Sequence, residues 1–152
     1  MVEVRAVAPD DVVELVVKMR QADIDELDAM GIEDFVGEVQ ASVDRSVFSY
    51  AFLIGGELAC IIGVVPAMGL MGGYGIPWML GTDVVTRNQR VLMRTCRPYI
   101  QKMLRAYPVL FNYVHAENHR AIRWLQRVGF SLQLAEPYGP KGAPFHLFVM
   151  RG

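Results

Sequence analysis

The spacing of apolar positions changes period several times along the chain, and each change predicts an element. Val2 to Ala6 alternates with Glu3 and Arg5, the pattern of a short edge strand. Pro9-Asp10-Asp11 then opens a helix, with proline in the first turn and acids at the positive end of the helix dipole. Val12, Leu15, Val16 and Met19 fall on its inner face. A second, acidic helical piece runs from about Asp23 to Met30 and ends at Gly31. A third carries Phe35, Val36, Val39 and Val43 as its stripe. Val47 to Ile54 and Leu58 to Val65 read as a hairpin turning through Gly55-Gly56. Met68 to Pro77 reads as a glycine-rich loop without phosphate-binding spacing, and Pro77 to Val85 as a strand.

Arg87 to Tyr107 predicts the longest helix, buried along Leu92, Cys96, Ile100 and Met103. Pro98 has no N–H to bond back to Arg94, so a kink or a restart is expected there. Val109 to Ala116 is an apolar run of the kind buried within a sheet. A helix from Asn118 to Val128 follows. Leu132 to Ala135 and Phe145 to Met150 close the chain as strands joined by the loop EPYGPKGAP.

Composition narrows the picture. A chain of 152 residues with 53% hydrophobic and 20% charged residues describes one globular domain, residues 1–152, and not a disordered segment. Net charge is −1, so bulk charge predicts neither a nucleic-acid nor an anionic-membrane partner. Ala51 to Met71 is long and nearly uncharged. Gly55-Gly56-Glu57 and Pro66 interrupt it, which favours two strands around a turn over a membrane-spanning helix. The N-terminus is not expected to be a signal peptide, because acids stand where an apolar run belongs. Cys60 and Cys96 sit in apolar patterns and read as buried thiols. His115, His119 and His146 are scattered, so no metal site is expected.

The element order and the stretch from Asn118 to Phe130 resemble the GNAT (Gcn5-related N-acetyltransferase) superfamily. Asn118, Ala121, Gly129 and Phe130 stand at that superfamily's spacing for its last helix. Each also has a structural role. Asn118 can cap the helix, Ala121 allows close packing, Gly129 suits a left-handed helix end, and Phe130 leads into the core. The resemblance implies an α/β (α+β) fold with a mixed, mainly antiparallel sheet flanked by helices. It also implies coenzyme A between the strands ending near Val85 and Ala116, with cofactor contacts at Val85, Arg87, Arg90 and Asn118. An amine would attack the thioester directly, and Glu117 or His115, at the strand end bordering the acceptor cleft, would take its proton. A polar strand terminus is the alternative reading of those two residues.

Two departures from the superfamily pattern stand out. The turn into its long helix usually carries glycines that let backbone N–H groups approach a pyrophosphate. Here Thr86 to Thr95 holds none, leaving Arg87, Asn88, Gln89 and Arg90 to reach phosphate through side chains. Many members also place a tyrosine seven residues after the asparagine to protonate the leaving thiolate. That position is Leu125. General acid catalysis is worth about 10² to 10⁴-fold in rate, so the substitution slows such an enzyme without abolishing it.

A closer resemblance is carried by Gly31-Ile-Glu33, Tyr107 to Val114, Asn118, Ile122 to Leu125 and Phe145 to Phe148. These segments are similar to a family from short-tailed bacteriophages known as internal virion or core protein A. That resemblance implies an assembly or scaffold-type protein with a degenerate acetyl-CoA site. Its partners would be phage virion or assembly proteins, in the host cytoplasm or the virion, and homo-oligomerisation is left open. On this reading there is no cofactor; on the acetyltransferase reading acetyl-CoA is the cofactor and an unidentified amine the substrate.

Arg87, Arg90, Arg94 and Arg97 recur every three or four positions. They read either as an anion-binding face, for phosphate or an acidic partner, or as a solvated face opposite the buried stripe. Without interleaved aromatic residues they make no nucleic-acid platform. Tyr138 lies on a loop able to cover the cleft, and Tyr74 and Trp78 lie in and just after the glycine-rich segment.

Overall fold

A computed structural model describes residues 1–67 and 72–152. Residues 68–71 of the expected glycine-rich loop lie outside that range. Strand β1 (Val2–Ala6) leads into helices α1 (Pro9–Lys18), α2 (Gln21–Ala29) and α3 (Phe35–Arg45). The hairpin β2 (Phe48–Ile54) and β3 (Glu57–Pro66) follows, then β4 (Tyr74–Gly81), the short helix α4 (Asp83–Arg87) and the long helix α5 (Gln89–Ala106). Strand β5 (Val109–His115), helix α6 (His119–Val128) and strands β6 (Ser131–Leu132), β7 (Glu136–Tyr138) and β8 (Ala143–Arg151) complete the chain. The strands form one sheet in the order β1-β2-β3-β4-β5-β8-β6, with β7 also on β8. Among the described residues, only β4 and β5 pair in parallel, and every other strand pairing is antiparallel. This is the mixed α/β architecture expected from the sequence.

Helices cover both faces of the sheet. Cys60, Ile62 and Val64 of β3 pack with Leu92, Cys96, Ile100 and Met103 of α5 and with Leu125 and Val128 of α6. Leu58 and Ile61 point the other way, onto Val12, Leu15 and Met19 in and just after α1 and onto Val39 of α3. Ile24 and Leu27 of α2 join that second cluster. Cys60 and Cys96 are buried, free thiols in the first cluster. Burial pushes the Cys60 thiol well above its usual range and the Cys96 thiol up to about 12, so both are inert, protonated packing groups at neutral pH.

Several expectations need correcting. The strand placed at Pro77 to Val85 starts earlier and stops earlier. Ile76, Trp78 and Leu80 extend the ladder on Val65, Gly63 and Ile61, so cross-strand pairing overrides the turn-like glycines before them. After Gly81 the Thr82 hydroxyl accepts from the Val84 N–H at 3.2 Å and caps α4, a helix the apolar run Val84-Val85 disguised. The long helix therefore starts at Gln89, because Asn88 (φ −135°) leaves helical geometry. Pro98 neither ends nor splits α5. It and Arg94 lie on the exposed face, where water can take the freed Arg94 carbonyl. The loop EPYGPKGAP is partly strand: Glu136–Tyr138 pair with Ala143–Phe145, and β6 shrinks to two residues. The long, nearly uncharged segment is the β2–β3 hairpin as far as Pro66. No helix among the described residues is long and apolar enough to cross a membrane.

The turn after α2 meets the turn between β7 and β8. Gly31 has φ +76°, and a Cβ there would stand 2.9 Å from Pro140 Cγ. Gly55, in the β2–β3 turn, has φ +58° and open space around it. An alanine at Gly55 meets only the left-handed backbone cost of about 1–2 kcal/mol. At Gly31 the contact with Pro140 adds to that cost. Urea denaturation should therefore show Gly31→Ala destabilised more than Gly55→Ala; equal losses would contradict the contact.

Candidate functional site

The site begins with a missing hydrogen-bond donor. The Thr82 N–H bonds to the Ala59 carbonyl of β3. By strand alternation the main-chain groups of Gly81, Met79 and Pro77 face the other side, toward β5. Pro77 has no N–H to give. Its carbonyl instead accepts from Asn112 Nδ2 of β5 at 2.8 Å. The parallel ladder is confined to Tyr74–Val109 and Gly75–Leu110, and beyond Pro77 the two strands diverge. The gap holds a cavity of about 370 Å³. Ile62, Met79, Ile100, Met103, Leu125 and Phe148 make much of its wall.

Helix α2 closes the polar end of this gap. Arg20, Asp23 and Glu26 recur every third residue and so share a face. The segment before α2 runs beside the end of β4: Met19 bridges to Thr82, and the Arg20 N–H donates to the Gly81 carbonyl at 2.9 Å. Asp23, 3% exposed, accepts from the Gly81 N–H at 2.7 Å and from Arg20 Nε at 2.8 Å. Burial raises its carboxyl pKa, and the Arg20 guanidinium and the Gly81 N–H oppose that rise. On the opposite strand, Glu26 Oε1 accepts from the His115 N–H and from Asn118 Nδ2, both at 3.0 Å. Burial pushes the Glu26 carboxyl up to about 7, against the pull of those two donors. Thus two acids on one helix bond the free edges of both diverging strands.

The remaining walls are aromatic. Tyr138 of β7 stacks on Tyr113 of β5 with ring centroids 3.8 Å apart, and Phe145 meets Tyr138 edge-on. These three rings and Trp78 line the cavity. Indole Nε1 of Trp124, also in the wall, is enclosed and finds no acceptor among the described residues.

The structure distributes the residues expected from the sequence. Val85 lines the cavity from α4, and Asn118 lines it from the start of α6. Both ends of the Asn118 amide are engaged: Oδ1 accepts from the Ala121 N–H at 3.3 Å, and Nδ2 serves Glu26. Leu125 is buried in the wall. Arg87 ends α4 and is exposed, while Arg90 lies in the first turn of α5 and is also exposed. Asn88 separates them, so the four arginines do not share one helix. Arg94 and Arg97 are exposed, and Arg97 donates to the Arg127 carbonyl at 3.2 Å. The His115 ring is half-buried, edge-on to Phe145, and its Nδ1 accepts from the Glu117 N–H at 3.1 Å. The Glu117 side chain, 77% exposed, lies 3.6 Å from His119. Asp23, Glu26 and Trp124 were not expected at the site. For the two acids the signal in the sequence is their spacing of three on a helix whose apolar face must be buried, which requires partners for the carboxylates.

Known proteins with this architecture are informative. A family model described as bacteriophage T7 probable scaffold protein Gp13 matches residues 59–134, half of the chain. No curated protein sequence matches. Among solved structures, a GNAT-family acetyltransferase from Streptococcus pneumoniae superposes with a TM-score of 0.67 at 18% identity, covering 99% of each chain. A ribosomal-protein-alanine N-acetyltransferase from Brucella melitensis gives 0.72 at 14% identity, again over 99% of each chain. The aminoglycoside acetyltransferase AAC(6')-Ib, solved in complex with coenzyme A, gives 0.70 at 18% identity over 99% of this chain and 95% of its own. The fold is therefore that of the GNAT acetyltransferases.

The raised Glu26 pKa has a consequence for stability. With a folded value of about 7 and an ordinary unfolded value of about 4.3, the folded state holds the proton more tightly. The stability this contributes is complete below the unfolded pKa and is lost as pH rises through about 7. The stability of the wild type relative to Glu26→Gln should therefore fall by a few kcal/mol between about pH 4 and pH 8, at about 1.4 kcal/mol for each tenfold difference in proton affinity. A difference that stays flat across that range would contradict the assignment.

Proposed function

The chain belongs to the family of the bacteriophage T7 probable scaffold protein Gp13, and on that premise we propose that it is a phage assembly protein of the internal core. It uses the acetyltransferase fold to bind virion or assembly proteins, and its acetyl-CoA site is degenerate. The supporting observation is the closure of the strand gap by α2. An extended cofactor arm lying between β4 and β5 needs the strand-edge groups of that gap. Gly81 and His115 give theirs to Asp23, Arg20 and Glu26. Thr86 to Thr95 lacks the glycines of a phosphate cradle, and Leu125 offers no proton to a leaving thiolate.

A second reading, an acetyl-CoA-dependent N-acetyltransferase acting on an amine, is favoured by two observations. Glu26 is a carboxyl near pKa 7 on the cavity wall, where general-base chemistry works best. Trp124 Nε1 is an unused donor in the same wall. On this reading Val85 and Asn118 border the cofactor, and Arg87 and Arg90 reach its phosphates from the rim. Glu26 takes the amine proton more readily than Glu117, which projects into solvent, or His115, whose ring packs on Phe145.

Thermal-shift titration with acetyl-CoA separates the two. A ligand at about a hundred times its dissociation constant stabilises a protein by roughly 2.7 kcal/mol. The assembly reading expects no shift at millimolar acetyl-CoA, and co-purification of tagged protein with virion proteins from infected cells. A saturable shift, with amine acetylation lost in Glu26→Gln at unchanged folding, would overturn it.

A further inference from the structure

The nearly neutral chain is strongly polarised. Residues 1–83 hold fourteen Asp and Glu against four Lys and Arg, while residues 84–152 hold two acids and eleven basic residues. The fold turns this division along the sequence into a division in space. Helices α1–α3 cover one face of the sheet and helices α5 and α6 the other. On the first layer Asp10, Asp25, Asp28, Glu33, Asp34 and Asp44 are exposed. On the second, Arg90, Arg94, Arg97, Arg120, Arg123 and Arg127 are exposed.

Neither layer neutralises itself or the other. The ion pairs among the described residues are Arg5–Asp11, Lys18–Glu14, Arg20–Asp23, Arg45–Glu38 and His119–Glu117. None crosses the sheet, and none uses an arginine of α5 or α6. The two basic residues exposed on the acidic layer, Lys18 and Arg45, are already paired there. Six arginines on one face therefore lack acidic partners, and the complementary acids sit on the opposite face of the same molecule.

We propose that the protein self-associates head to tail, the basic α5–α6 face of one copy docking on the acidic α1–α3 face of the next. Because the two faces lie on opposite sides of the sheet, the contact is heterologous. It leaves a free face at each end of a pair and propagates beyond a dimer into stacks or rings. Opposite fields accelerate the encounter and fix its orientation, and salt screens them. The inference rests on charge placement and not on the assembly reading, so either can fail without the other. An oligonucleotide is the other polyanion a face of arginines could bind. A second copy is favoured because the matching acids are present on the same chain.

Charge reversal with complementation tests the proposal. Arg94→Glu with Arg123→Glu lowers the net charge of the basic face by four. Asp28→Lys with Asp44→Lys raises the net charge of the acidic face by four, and places lysines near helix C-termini, where they are tolerated. Sedimentation velocity in roughly 0.05 M and 0.5 M salt, with circular dichroism to confirm folding, supplies the readout. At low salt the wild type should form species larger than a dimer, which high salt disperses. Each variant alone should associate roughly tenfold or more weakly, and an equimolar mixture of the two should recover mixed pairs through their unaltered faces. A monomeric wild type at low salt would overturn the proposal, as would variants that do not complement each other. Oligonucleotide binding by wild type that is lost in the glutamate variant, with no self-association, would assign the basic face to nucleic acid instead.

Discussion

One missing hydrogen-bond donor organises the centre of this molecule. Pro77 stands where β4 would offer an N–H to β5, and after two paired residues the strands part. Asn112 takes the carbonyl that is left, which holds the strands at a fixed separation and keeps the gap from collapsing. A sheet split in this way exposes main-chain groups on two inner edges, and buried main-chain groups must find partners. The rest of the site consists of those partners.

Here the partners are the protein's own. Asp23 and Glu26 each reach one edge of the split, and the segment before α2 adds a short bridge to β4. Burying two carboxylates costs free energy, partly offset by the bonds they accept and by the Arg20 guanidinium. The cost shows in Glu26, whose proton affinity rises to near neutrality. An acetyltransferase fold with its cleft bonded from within suits a protein whose work is done on its outer surfaces. Those surfaces differ sharply, acidic over α1–α3 and basic over α5–α6.

Much of the fold was legible in the sequence, for local reasons. Strand β1, the β2–β3 hairpin, the α5 stripe and α6 announce themselves through period, turn residues and caps. Asn118 caps α6, and Gly129 ends it at φ +121° as its position suggested. The β4 boundaries and α4 were obscured because pairing with β3 outweighs the glycines at one end and a single threonine cap starts the helix at the other. Val85 and Asn118, to which the fold resemblance points, both line the cavity. Asp23 and Glu26 were not singled out, because their spacing signals only that buried acids need partners, and the main-chain and amide groups that meet them lie 58, 89 and 92 residues away.

Native-state hydrogen exchange at the Gly81 and His115 amides tests the central claim most directly. If α2 bonds both edges of the split, these two protons exchange as slowly as those of the buried strand β3, with acetyl-CoA leaving them unchanged. Exchange near the unprotected rate would mean that the cleft is open, and the account of a fold closed upon itself would be contradicted.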